Sequence, residues 1–219
     1  MINVTKTPLP PIEEYIARLR GIWDRRWITN HGQLVQELEQ QLQAYLEVER
    51  LTLVSNGTSA LQVAIQALGI KGDVITTPFS YVATTGSILW QGCRPVFVDI
   101  EDRTFCIDPD LIEAAITPQT TAIVATHVYG YPCDVTAIEA IAKRRGLKII
   151  YDGAQSFGTR LAGRSLAIHG DATTYSFHAT KLFHTVEGGG LATNNAELAE
   201  QFELTRAFGQ RGEEQLTLG

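Results

Sequence analysis

Residues 121–152 read TAIVATHVYGYPCDVTAIEAIAKRRGLKIIYD. Thr121-Ala122-Ile123-Val124-Ala125-Thr126 is a short apolar run that suits a strand covered on both faces. Asp134 is an N-cap for a helix from Val135 to Arg145, and Gly146 stops that helix. Leu147-Lys148-Ile149-Ile150-Tyr151 is a second apolar strand, ending at Asp152. Short apolar strands separated by helices imply a largely parallel sheet with helices on both faces.

The same rhythm extends outward in both directions. Upstream, Leu51-Thr52-Leu53-Val54 is a strand, Ser55-Asn56-Gly57-Thr58-Ser59 a turn, and Ala60 to Leu68 a helix ended by Gly69. Val74-Ile75-Thr76-Thr77 and Pro95-Val96-Phe97-Val98 are strands on either side of a helix from Tyr81 to Trp90. Asp108 caps a helix that has Pro109 at its first position and runs through Ile116. Downstream, Asp171 to Phe177 and Gly190-Leu191-Ala192-Thr193 are strands, and Glu197 to Phe208 is a helix. The expected fold is therefore α/β, in three layers, with a mostly parallel seven-stranded sheet. No helix is evident between Tyr151 and Asp171, and the last two strands lie close together, so an antiparallel member is expected near the end of the sheet. Ahead of the first strand, Pro8-Leu9-Pro10-Pro11 is a stiff entry to two amphipathic helices, Ile12 to Trp23 and Gln33 to Leu46. The expected organisation is a helical arm over 1–47, an α/β domain over 48–209, and the start of a further connection over 210–219. The arm is expected to pack on something else, such as another subunit.

The bulk numbers narrow the partners. The chain has 219 residues, 44% hydrophobic and 19% charged, a globular composition with length for one sizeable core. The net charge is −6 with no basic run, which argues against nucleic acid while leaving room for a small anionic ligand. Cys93, Cys106 and Cys133 are odd in number and widely spaced. They fit neither a disulfide framework nor a zinc cluster, so no metal is expected and a reducing, cytoplasmic setting is. Met1 to Thr7 lacks the apolar core of a signal peptide, and no apolar run approaches the length of a membrane span.

Chemistry is concentrated in Tyr175-Ser176-Phe177-His178-Ala179-Thr180-Lys181-Leu182-Phe183-His184-Thr185-Val186-Glu187-Gly188-Gly189-Gly190. One lysine stands between a strand-like run and a glycine cluster. A lysine that leaves solvent and loses its proton is a nucleophile toward carbonyls; the plainer alternative is a surface lysine before a turn. In a parallel α/β sheet, ligands sit at the carboxyl ends of the strands, and that rule gathers distant residues. Ser55 to Ser59 precedes a helix N-terminus, where free N–H groups favour a phosphate. Gly57 permits close approach there, and Thr58 and Ser59 add hydroxyls; a plain N-cap is the alternative. Asp152 belongs at a strand end, where a buried carboxylate needs a cation or donor, such as a protonated pyridine nitrogen; a capping or turn role is the alternative. Gln155 can donate to a ring oxygen, Ser176 can complete a phosphate site, and Tyr81 can lie against a flat ring or pack in the core. A phosphate cup, a strand-end aspartate and a lysine before a glycine turn are together what pyridoxal phosphate requires.

At this point the chain resembles the DegT/StrS-type sugar aminotransferases, which have the fold-type-I pyridoxal-phosphate architecture. The resemblance rests on Ser55-Asn56-Gly57-Thr58-Ser59-Ala60-Leu61, Thr77-Pro78-Phe79-Ser80-Tyr81-Val82-Ala83-Thr84, Tyr151-Asp152-Gly153-Ala154-Gln155, and Ser176-Phe177-His178-Ala179-Thr180-Lys181 with Glu187-Gly188-Gly189. Trp27 to Gly32 and His127-Val128-Tyr129-Gly130 add weaker support. It implies pyridoxal 5′-phosphate as cofactor, with Lys181 forming the Schiff base and moving the proton, and Asp152 holding the ring-nitrogen proton. It further implies Gln155 on the phenolic oxygen, Gly57, Thr58 and Ser176 on the phosphate, and Tyr81 stacked on the ring. The implied reaction moves an amino group from an amino acid, usually glutamate, to a keto group on a nucleotide-linked deoxysugar, in a homodimer. Gly153 departs from the family's usual alanine. Family members are also longer, so the resemblance implies a cofactor-binding part without the small domain that would follow.

Two other readings compete. Sugar dehydratases of the same superfamily carry a histidine in place of the lysine, and Lys181 argues against that reading. His178 and His184 flank Lys181 but are offset from its position, and are expected to pack or hydrogen-bond. The other reading is a non-catalytic remnant that folds and turns nothing over.

Overall fold

A computed structural model describes residues 6–211 and 215–216. In chain order the elements are α1 (Ile12–Arg25), α2 (Gln33–Leu46), β1 (Arg50–Val54), α3 (Gly57–Ala67), β2 (Asp73–Thr76), α4 (Val82–Trp90), β3 (Arg94–Phe97), α5 (Pro109–Ala115), β4 (Thr120–Thr126), α6 (Val135–Arg145), β5 (Lys148–Asp152), β6 (Arg160–Leu161), β7 (Arg164–Ser165), β8 (Ala172–Ser176), β9 (Gly189–Thr193), α7 (Ala196–Arg206), β10 (Gln210–Arg211) and β11 (Gln215–Leu216). Seven strands form one sheet in the order β1-β9-β8-β5-β4-β2-β3. Six run the same way; β9 alone is antiparallel, to β8 on one side and β1 on the other. The antiparallel member therefore lies where the close spacing of the last two strands put it.

Strand alternation sorts the core onto two faces. Val74, Ala122, Val124, Ile150 and Ala172 pack against Leu61 and Ile65 of α3, Ile88 of α4 and Phe202 of α7. Ile75, Ile123, Ala125, Ile149 and Tyr151 pack against Ile112 of α5 and Ile138 and Ile141 of α6. Leu42 and Leu46 of α2 cover Leu51, Tyr175 and Ala192 at the β1 end. Helices, sheet and helices make three layers.

Three local signals act as the sequence implied. The Asp108 carboxylate accepts from the Asp110 N–H, the Asp134 carboxylate from the Ala137 N–H, and Gly146 ends α6 with φ +68°. Boundaries differ by one to three residues, most at α3. α3 begins at Gly57 rather than Ala60, because the Asn56 side chain caps it by accepting from the Ser59 N–H at 2.8 Å. Gly57 to Ser59 thus belong to the first turn of the helix, with Asn56 as its N-cap. The span between Tyr151 and Asp171 holds the β6–β7 hairpin and a 3-10 turn over Leu166–Ile168.

α1 buries none of its residues in this chain, although Ile12, Tyr15, Ile16 and Trp23 are apolar and exposed. Among the described residues no helix is long and apolar enough to cross a membrane. Residues 212–214 and 217–219, most of the expected connection, lie outside the described residues.

Candidate active site

The carboxyl ends of β1, β4, β5 and β8 share one edge of the sheet with the start of β9, and the chemistry-bearing residues collect there. Asp152 ends β5 at 5% exposure. Its Oδ2 accepts from the Thr84 hydroxyl at 2.7 Å, and its Oδ1 from the Ala154 N–H at 3.1 Å. Burial drives this carboxyl above the usual carboxylate range; the Thr84 hydroxyl, the Ala154 N–H and the Lys181 ammonium pull it back. β5, which ends at Asp152, pairs with β8, and the loop that follows β8 carries Lys181, so the sheet places the two residues at the same edge.

Lys181 sits half-buried on the loop 177–188 between β8 and β9. Backbone bonds close that loop: Phe177 N–H to the Gly188 carbonyl at 2.8 Å, Thr185 N–H to the Phe177 carbonyl at 2.9 Å, and Lys181 N–H to the His178 carbonyl at 2.9 Å. Beneath it Phe183 stacks on Phe157 at 4.8 Å and meets the edge of buried Phe177 at 5.1 Å. The arm ties it from outside. The Thr7 hydroxyl donates to the Ala179 carbonyl at 2.9 Å, and His184 Nε2 lies 2.7 Å from the Pro8 carbonyl. His178 meets the Thr180 hydroxyl at 2.8 Å and faces the Glu187 carboxylate at 3.7 Å. Both flanking histidines thus hydrogen-bond, as their offset from Lys181 led us to expect.

An anion cup lies beside the lysine loop. The Gly57 and Thr58 N–H groups are in the first turn of α3, where helical geometry provides no acceptor. Ser176 closes β8 against Gly57; a Cβ on Gly57 would come within 2.8 Å of the Ser176 Cβ. Gly189 forms the floor, since a Cβ there would lie 2.3 Å from the Asn56 carbonyl oxygen and 2.8 Å from the Gly57 nitrogen. Those are backbone atoms that cannot swing aside. Gly189→Ala is expected to lower unfolding free energy by about 1–3 kcal/mol and to close the cup. Urea denaturation checks this, and a midpoint equal to wild type would contradict it.

The remaining expected residues fall nearby in different states. Gln155 Oε1 accepts from the Tyr129 N–H at 2.8 Å, which leaves its NH2 group as a donor. Tyr81 is the N-cap of α4 and is 72% exposed. The Ser59 hydroxyl meets that of Ser55 at 3.0 Å and its N–H bonds Asn56, whereas Thr58 is exposed. At Gly153, a Cβ would lie 2.9 Å from Thr173 Cγ2 and 3.0 Å from the Thr174 carbonyl, so the glycine suits its own surroundings.

Sequence reasoning missed the hydroxyls behind Asp152. Ser80 Oγ lies 2.6 Å from Thr84 Oγ1 and 3.0 Å from Thr126 Oγ1. The available cue was Ser80 and Thr84, four residues apart across the start of α4.

These residues fit a phosphorylated aldehyde with a basic ring nitrogen. The Gly57 and Thr58 N–H groups, with the Ser176 hydroxyl packed against Gly57, are donors suited to an anion, and the buried Asp152 carboxylate is suited to a protonated ring nitrogen. The fold and site define the α/β domain of an aminotransferase-type protein. Residues 11–218 match the model of the DegT/DnrJ/EryC1/StrS aminotransferase family. The chain belongs to that family. It is 48% identical over 208 residues to the dTDP-4-amino-4,6-dideoxy-D-glucose transaminase of Shigella dysenteriae, covering 95% of this chain and 57% of the relative. Among solved structures, DesI in the presence of its TDP-sugar product matches with TM-score 0.91 at 34% identity, over 93% of this chain and 52% of DesI. NtdA from Bacillus subtilis, with bound cofactor PMP, matches with TM-score 0.87 at 32% identity, over 100% of this chain and 53% of NtdA. The chain thus spans about half the length of these relatives.

Proposed function

We propose that this chain is the cofactor-holding part of a pyridoxal 5′-phosphate-dependent aminotransferase that moves an amino group from glutamate to the keto group of a nucleotide-linked deoxysugar. The observation that carries this reading is the Asp152 carboxylate, buried at the end of β5 beside β8, whose following loop carries Lys181 and is closed by backbone bonds. When bound, the cofactor supplies an aldehyde for the amine and a ring that accepts the electrons of the broken bond. Lys181 would hold the aldehyde and serve as the base that moves the substrate proton. Asp152 would face the ring nitrogen, whose positive charge would offset the cost of burying the carboxylate. The Gln155 NH2 group would donate to the phenolic oxygen. The Gly57 and Thr58 N–H groups and the Ser176 hydroxyl would hold the phosphate, and the Tyr81 ring would cover the ring face.

The reading extends to organisation. Residues 1–47 are the arm, 48–209 the cofactor-binding domain, and 210–219 the start of a connection. The enzyme works as a homodimer. The apolar face of α1, the exposed Tyr81, and Leu182, 85% exposed beside Lys181, support a partner subunit over the site. Light scattering checks this, and a stable monomer would contradict it. A cytoplasmic setting is supported by three buried, unpaired cysteines.

The test is spectroscopic. Adding pyridoxal 5′-phosphate is expected to give the absorbance of a lysine-bound cofactor. Glutamate, or dTDP-4-amino-4,6-dideoxy-D-glucose, is then expected to bleach it. Absorbance that neither amine bleaches would mark a chain that holds the cofactor without turnover.

A further inference from the structure

The hydroxyls behind Asp152 carry a consequence for its charge. Each hydroxyl has one proton to donate. Thr84 gives its proton to Asp152 Oδ2 at 2.7 Å, so across the 2.6 Å contact Ser80 must be the donor to Thr84. Ser80 is then spent, so across the 3.0 Å contact Thr126 must donate to Ser80. The chain Thr126→Ser80→Thr84→Asp152 has one direction while the carboxylate is ionised. All its dipoles point at that charge, and each bond polarises the next. Thr126 and Asp152 are paired across β4 and β5, so their side chains share a face. Thr84 and Thr126 are buried at 0% and 1% exposure, where no water substitutes for them.

We propose that Thr84, backed by Ser80 and Thr126, is a positioning residue that keeps Asp152 ionised and aimed at the cofactor. This rests on the aminotransferase reading for its purpose, though its physical content concerns the chain without ligand. The charged group whose field reaches the Asp152 carboxyl is Lys181 on the 177–188 loop. Just past β4, His127 donates its backbone N–H to the Asp152 carbonyl, and burial holds its ring neutral, pushed down to about 3. The cross-strand neighbours Thr126 and Thr174 do not titrate. A midpoint that moves when Thr84 changes therefore belongs to Asp152.

The experiment is a carbon-13 NMR titration of the Asp152 carboxyl in the ligand-free chain. Thr84→Val removes the terminal donor and keeps the shape; the Asp152 midpoint is expected to rise by about one to two pH units. Thr84→Ser restores the donor and is expected to return the midpoint close to wild type. Ser80→Ala, at a half-buried position, is expected to give a smaller rise, and it serves where Thr84→Val does not fold. Stability gives a second readout. Because burial raises the Asp152 midpoint in the folded chain, ionising it costs stability, which is lost as pH rises through that midpoint. The Thr84→Val deficit against wild type is therefore expected to grow as pH rises from the wild-type Asp152 midpoint to the higher midpoint of the variant, and to lose that growth in an Asp152→Asn background. A midpoint unmoved in Thr84→Val, or in Ser80→Ala where the former does not fold, overturns the proposal. A normal rise in a chain that never takes up pyridoxal phosphate would support the hydroxyl chain and refute the aminotransferase reading, so the two fail separately.

Discussion

Asp152→Asn is expected to slow the glutamate half-reaction by about 10²–10⁴-fold, the rate equivalent of losing one partner of a buried ion pair. The substitution keeps the shape and removes the charge. The Asn amide oxygen still accepts from the Ala154 N–H, and its NH2 group can donate to the Thr84 hydroxyl, which turns to donate to Ser80 instead, so the fold is retained while the ring nitrogen loses its counter-ion. The control is Asp134→Asn, where the carboxylate only caps α6. Asn is an equally good N-cap, so that variant is expected to react within about twofold of wild type. Stopped-flow absorbance with glutamate checks both, and equal rates for the two variants would reduce Asp152 to a turn residue.

Lys181→Ala is expected to abolish the lysine-bound absorbance and the borohydride-stable adduct. The half-reaction with glutamate falls by about 10²–10⁴-fold from lost proton transfer alone. The loop should survive the change. Its closure comes from backbone bonds of Phe177, Lys181 and Thr185, and its anchoring from Phe177 and Phe183, none of which needs the lysine side chain. Circular dichroism unchanged from wild type, with no adduct, is the expected pair of results. An undiminished adduct in this variant would place the chemistry on another lysine.

Much of this was legible in the sequence because it rests on local rules. Caps at Asp108 and Asp134, the stop at Gly146, and the apolar run Ile149-Ile150-Tyr151 each depend on neighbours in the chain. The clustering of Lys181, Asp152, Gly57 and Ser176 followed from one topological rule, that strand carboxyl ends share an edge. What was illegible depends on distance in space. The Thr84–Asp152 bond joins residues 68 apart, and the Thr7–Ala179 bond residues 172 apart. No period or spacing announces such pairs. The start of α3 was misjudged for a different reason: Asn56 and Gly57 are turn formers, and only the observed Asn56–Ser59 bond shows them serving as a cap.

The account turns on the lysine after Thr180 being the one that holds pyridoxal phosphate, and the most direct measurement is to trap that bond in the unmodified chain. The complex would be reduced with borohydride, digested, and mapped by mass spectrometry. The predicted result is a single pyridoxyl-labelled peptide carrying the label on Lys181. A label on Lys71 or Lys148, or none at all at saturating cofactor, would contradict it.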